Sequence, residues 1–218
     1  MHCINNVFKR YIPFLYKLRK KMRLLYKPDS YLVMTGFMKS LLVGYPCTLE
    51  GEPIPWMNYN AVSFLKERLR KDMKLFEYGS GYSTVFFSRL VATVTSVEHN
   101  KDWYEKVKKK VGNNVTLIYQ ACEPLGDYCK VISTLNDTFD VVVIDGKERV
   151  QCVPYAMKAL SDRGVIIFDD IVSDERRKGV EILLNNKFRK IDFEGLAANR
   201  INLTRTSIFY RDKNCFGL

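Results

Sequence analysis

Lys74-Leu75-Phe76-Glu77-Tyr78-Gly79-Ser80-Gly81-Tyr82-Ser83-Thr84 decides the reading of this chain. A short apolar run ends in two glycines one residue apart, and Val85 to Leu90 then reads as a helix. Glycine tolerates backbone conformations closed to other residues, so Gly79 and Gly81 allow a tight turn and a close approach of main chain to a ligand. The N-terminus of the helix that follows offers free N–H groups.

Outward from this turn, short β-branched or aromatic runs alternate with helical stretches, the pattern of parallel βαβ units. The predicted strands are Lys74 to Tyr78, Thr93 to Glu98, Val115 to Tyr119, Phe139 to Asp145, Gly164 to Asp169, Phe188 to Phe193 and Thr206 to Tyr210. Several are apolar almost throughout, as strands covered on both faces must be. The expected fold is therefore α/β: a Rossmann-like, doubly wound, seven-stranded and mostly parallel sheet whose last strand is antiparallel, with an N-terminal helical extension. A chain of 218 residues suits one such domain. The predicted division is residues 1–58, a basic amphipathic helix and a covering segment, then the catalytic domain at 59–218, opening on a helix from Tyr59 to about Lys71.

Ligands of doubly wound sheets bind at the carboxyl ends of the strands, where strand order reverses. A dinucleotide site ordinarily has a third glycine, but that place holds Thr84. Glu77, just ahead of the glycines, would repel a pyrophosphate and can favour a cationic ligand, such as one bearing an amino group and a sulfonium. S-adenosylmethionine has both. Glu98 closes the second strand 17 residues beyond Gly81, where an acid can accept hydrogen bonds from ribose hydroxyls. Ser80, Ser83, Thr84 and His99 complete the candidate cofactor-binding set with Glu77, Gly79, Gly81 and Glu98.

The fourth strand delivers Asp145 to the same sheet edge and the fifth delivers Asp169 and Asp170, so three carboxylates converge there and need a cation or a shared proton. Methyl transfer from a sulfonium to oxygen depends on positioning and on removal of the hydroxyl proton, which makes Asp145 the candidate base. Lys147 and Arg149 can bind an anionic acceptor or merely neutralise the acids. Alternatively, Asp145, Asp169 and Asp170 can hold Mg²⁺. The metal is left open.

The segments Glu77–Thr84, Ser96–His99, Val143–Gly146 with Arg149 and Cys152, and Phe168–Asp170 resemble small bacterial class I methyltransferases of the FkbM-like family, as does Pro53-Ile54-Pro55-Trp56-Met57-Asn58-Tyr59 before them. The resemblance implies adenosylmethionine contacts at Glu77, Gly79, Gly81, Ser83 and Glu98, an acceptor near Asp145, and a sugar hydroxyl of a polysaccharide, lipopolysaccharide or its precursor as acceptor class. The acids also sit much as the metal ligands of catechol-type O-methyltransferases do, with Asp170 in place of the usual asparagine. Trp56 and Tyr59 either lid the site or pack on the core. The rival readings are an NAD-dependent oxidoreductase and a non-catalytic membrane- or RNA-binding module.

The net charge of +11 is concentrated at one end. Residues 1–28 hold Lys9, Arg10, Lys17, Arg19, Lys20, Lys21, Arg23 and Lys27 with no acid; taking these eight from 35 leaves 27 bases against 24 acids. The body is nearly balanced, so no nucleic-acid partner is expected. From Pro13 to Tyr26 the apolar residues take one side of a helix and most of the bases the other. Peripheral contact with an anionic membrane through residues 13–27 and packing on the domain are equal expectations. Six scattered cysteines and two histidines indicate neither a zinc site nor a disulfide framework, and with no signal-peptide pattern the expected location is the cytoplasm, peripherally on the inner face of the cell membrane.

Overall fold

The computed structural model describes residues 13–122 and 127–218; Cys3, Lys9 and Arg10 lie outside them. The apolar runs become seven strands: β1 (Lys74–Tyr78), β2 (Thr93–Glu98), β3 (Val115–Tyr119), β4 (Phe139–Ile144), β5 (Leu160–Asp169), β6 (Arg189–Ala197) and β7 (Arg200–Tyr210). They form one sheet in the order β3-β2-β1-β4-β5-β7-β6. The pairs from β3 through β5 are parallel, and β7 runs antiparallel to both β5 and β6. The chain leaves β1 toward one edge and returns to add β4 on β1's other side. The switch in strand order thus lies between Tyr78 and Ile144, which pair in register.

Burial on both faces explains the near-continuous apolar strands. Leu75, Val141, Val143, Val165 and Ile167 enter one core with Leu65, Phe87 and Met57. Their neighbours Phe76, Val142, Ile144, Ile166 and Phe168 enter the other, with Cys152, Val153 and Leu183. Strand alternation thus divides one sequence between two cores.

Helices α1 (Pro13–Leu25), α2 (Tyr31–Met34) and α3 (Phe37–Val43) precede the sheet. They are followed by α4 (Tyr59–Arg68), α5 (Tyr82–Ser88), α6 (Lys101–Lys108), α7 (Val131–Thr134), α8 (Arg149–Lys158) and α9 (Asp174–Asn185). The covering segment contains more regular structure than its turn-rich composition predicts. The Ser30 hydroxyl caps α2 by accepting from the Val33 amide, and Gly36 and Gly44 bound α3 with positive φ. Asn58 caps α4 by accepting from Ala61, and its amide reaches the Phe193 carbonyl and the Thr206 hydroxyl, tying the segment to the sheet. α4 ends earlier than predicted, because Leu69 turns extended and is buried. β6 and β7 are longer than predicted: the hairpin continues to the Ala197–Arg200 pair. No described helix is long and apolar enough to cross a membrane.

Candidate active site

At the carboxyl end of β1 the two glycines do different work. Gly79 has φ +86, and a Cβ there would lie 2.8 Å from the Gly146 Cα, so only glycine fits. Gly81 is extended and a Cβ would meet only Trp103, at 3.6 Å. Of the two glycines expected to allow the turn, Gly79 is the one the backbone requires: the close approach is of the two loops leaving β1 and β4, and Gly79 and Gly146 meet there.

Glu77 lies beneath the turn and is fully buried. It accepts hydrogen bonds from the hydroxyls of Ser83 (2.5 Å), Thr84 (2.6 Å) and Ser96 (3.0 Å). Burial outweighs these donors and pushes its carboxyl up to about 7. Thr84, also fully buried, accepts from the Gly81 amide at 2.9 Å, which pins the entrance to α5. Glu77 and Thr84 therefore form the floor, and Ser83 connects that floor to the open space above.

Above the turn is a cleft of about 700 Å³ whose walls include Gly79, Ser80, Ser83, Glu98, His99 and Trp103. Glu98 accepts from the Ser80 amide (3.0 Å) and hydroxyl (3.1 Å) through one oxygen and from the Asn100 amide (2.8 Å) through the other. The His99 Nδ1 lies 3.0 Å from Glu98 but makes no aligned hydrogen bond among the described residues. Trp103, positioned by the Asn100 cap of α6, donates its indole N–H to the Ser80 carbonyl at 2.7 Å. The turn is thus held from both sides.

A second cavity, of about 270 Å³, adjoins the first and shares with it Ser80, Ser83, Trp103, Asp145 and Arg149. Its other walls include Pro46, Trp56, Asp169, Asp170 and Arg200. Asp145 forms an ion pair with Arg149 at 2.8 Å. Arg149 also donates to the carbonyls of Gly146 (2.9 Å), Asp169 (2.7 Å) and Asp145 (3.0 Å), so it clamps the ends of β4 and β5 together. Of the two roles open to Arg149 in the sequence, the geometry fits neutralisation of the acids. Lys147 is exposed at the rim of the larger cleft.

The three acids reach the same cavity, but each has its own partner. Asp169 is nearly fully buried and accepts from the Thr206 hydroxyl at 2.5 Å; Asp170 pairs with Arg176 at 2.6 Å. Burial raises the carboxyls of both Asp145 and Asp169; the Asp170 charge raises Asp145 further, and the Asp145 charge adds to the rise of Asp169, which is pushed up to about 8. Among the described residues no group of three histidine, cysteine or carboxylate side chains is placed to hold a metal ion. Each acid turns one oxygen to its own partner, Asp145 to Arg149, Asp169 to Thr206 and Asp170 to Arg176, and as placed the three do not fit the open Mg²⁺ alternative.

Trp56 is 41% exposed, lines the second cavity, and donates to the Ala198 carbonyl at 2.7 Å. Tyr59 is buried in the first core, edge-on to Tyr31, away from both cavities. Cys152 is fully buried, 3.4 Å from the Cys129 sulfur. Sequence reasoning missed Trp103, Arg176 and Arg200. One signal was available: the chain has only two tryptophans, and both line the second cavity.

Residues 76–171 match the family Methyltransf_24, described as a methyltransferase domain. No curated protein matches the chain. Among solved structures, the O-methyltransferase TomG of Streptomyces achromogenes, in complex with SAM, superposes with a TM-score of 0.57 at 14% identity, covering 89% of this chain and 96% of that one. The precorrin 8W decarboxylase of Methanobacterium thermoautotrophicum gives 0.57 at 18% identity, over 69% and 87%. The tRNA (m1A58) methyltransferase TrmI of Aquifex aeolicus gives 0.54 at 14% identity, over 83% and 76%. At these identities the likeness is one of fold. The matched segment 76–171 spans the glycine turn, Glu98, Asp145, Asp169 and Asp170, so the residues gathered around the two cavities fall largely within the stretch that is similar to a methyltransferase domain.

Proposed function

We propose that this protein transfers a methyl group from S-adenosylmethionine, held in the larger cleft, to a hydroxyl oxygen held in the second cavity. The observation that carries the reading is that Asp145 lines both spaces. Glu98 takes the ribose hydroxyls with the lone pairs left over from Ser80 and Asn100, and His99 and Trp103 flank the adenosyl group. Gly79, Ser80, Gly81 and Ser83 supply the main-chain and hydroxyl surface beneath it. When bound, the sulfonium supplies an electrophilic methyl for in-line attack.

Asp145 removes the hydroxyl proton as attack proceeds. Burial raises its basicity, and the Arg149 guanidinium opposes that rise. Asp169, pushed up to about 8, holds a proton near neutral pH, and as a hydrogen-bonding neighbour it lowers the Asp145 carboxyl against the rise that burial and the Asp170 charge impose. Asp170 stays with Arg176, and Lys147 at the mouth of the larger cleft attracts anionic groups.

A sugar hydroxyl of a polysaccharide, lipopolysaccharide or precursor fits a cavity that joins the Trp56 indole, able to stack on a pyranose ring, with the polar groups of Asp170 and Arg200. The FkbM-like part of this reading is supported by the motifs Glu77–Thr84, Ser96–His99, Val143–Gly146 and Phe168–Asp170 together. The test is transfer of tritiated methyl from the donor into purified lipopolysaccharide and, in parallel, into RNA and a protein extract. Label recovered as a base-stable methyl ether on sugar is the expected result. Label confined to RNA or protein overturns the acceptor class.

A further inference from the structure

We infer that α1 and the exposed end of α3 form a docking surface for an anionic lipid bilayer. α1 is a thirteen-residue helix with no buried residue and no acid in its sequence. Phe14, Leu18, Met22 and Leu25 fall on one side of it and stand 40% to 73% exposed; Lys17, Lys20 and Arg23 fall on the other. Among the described residues nothing covers the apolar stripe, which a chain acting in water alone would bury. α3 ends in three more exposed apolar residues, Leu41, Leu42 and Val43, with Leu42 at 86%.

Charge decides the occupant. A second copy placed stripe to stripe would bring two acid-free cationic helices together, and a nucleic acid would take the bases while leaving the stripe in water. Anionic headgroups above an acyl boundary satisfy both sides of the helix at once. From Val43 the chain reaches Pro46, a wall of the second cavity, within three residues, so a docked α3 brings that cavity to headgroup level. This last consequence rests on the acceptor reading above; vesicle binding itself does not.

The test uses the full chain and co-sedimentation with vesicles of phosphatidylcholine, with and without phosphatidylglycerol. Binding is expected only with phosphatidylglycerol. The paired change Lys20→Gln with Arg23→Gln should lower the partition coefficient about 25-fold, at about fivefold per base removed. Leu18→Ser with Met22→Ser should lower it as well. Both variants alter exposed residues, so adenosylhomocysteine affinity should stay at the wild-type value and serves as the folding control. Four results overturn the inference: equal sedimentation on both vesicles, indifference to both paired changes, binding of polyuridine without vesicle binding, or a dimer that Leu18→Ser with Met22→Ser dissociates while vesicles are ignored. Vesicle failure with intact adenosylhomocysteine binding removes only the docking surface; loss of adenosylhomocysteine binding in the wild type removes the donor site instead.

Discussion

The two rims of this sheet solve opposite problems with the same residue type. At the ends of β1 and β2, Glu77 and Glu98 are enclosed by hydroxyls and amides, and every hydrogen bond they accept fixes the turn or its neighbour. At the ends of β4 and β5, Asp145 and Asp169 share a buried space with one another and with Arg149, and their protonation is tied together. The first arrangement makes a rigid seat. On the proposed reading the second makes a proton acceptor whose basicity is set by burial and repulsion, so the partners of each carboxylate decide between binding and chemistry.

That division predicts separable losses. The largest is expected for Asp145→Asn, which keeps the shape but removes the base: kcat should fall about 10²–10⁴-fold, while adenosylhomocysteine affinity measured by calorimetry should change less than about twofold. A comparable loss of affinity would mean the rims are not separate.

Next in size is a pH effect on stability. Glu77 sits at about 7 in the folded protein, above its value in the unfolded chain. Between those two values the folded state binds more protons, so this group's contribution is fully present below the unfolded value and is lost as pH rises through 7. The loss is about 3 kcal/mol. Denaturant unfolding of wild type and Glu77→Gln at pH 5 and pH 8 should show a smaller decline in the variant; an equal decline would show that Glu77 does not titrate in this range.

The glycines give the third contrast. Gly79→Ala forces a Cβ against Gly146 at positive φ and should cost about 1–3 kcal/mol, with weakened donor binding. Gly81→Ala meets only ordinary contact distance and should cost less than about 1 kcal/mol. Equal costs would place the tight approach elsewhere. The smallest effect is expected at the acceptor mouth, where Arg200 is 51% exposed and 3.9 Å from Asp170. Arg200→Gln should raise the acceptor KM about three- to tenfold with kcat unchanged.

Much of the sheet was legible because strands buried on both faces carry long apolar runs, as Val141–Ile144 in β4 and Val165–Phe168 in β5 do. Gly79, Glu98, Asp145 and Asp169 were legible for a related reason, since polar residues at the end of an apolar strand mark the edge where ligands sit. What was hidden depends on partners far away in the chain. The single role of Arg149 follows from four acceptors on two strands, and Asp170 takes its cation from α9. Arg200 reaches the cavity only because β7 returns antiparallel beside β5, and the hairpin register that does this leaves no mark in local periodicity. Three acids in a row of strand ends therefore looked like one cluster, while the arginines that separate them were out of sight.

The most direct test is a crystal structure with adenosylhomocysteine bound. The account predicts its ribose hydroxyls on Glu98, its adenine beside His99 and Trp103, and its sulfur directed toward Asp145 across the wall between the two cavities. Density for the nucleoside in the smaller cavity, or a ribose that leaves Glu98 untouched, would contradict it.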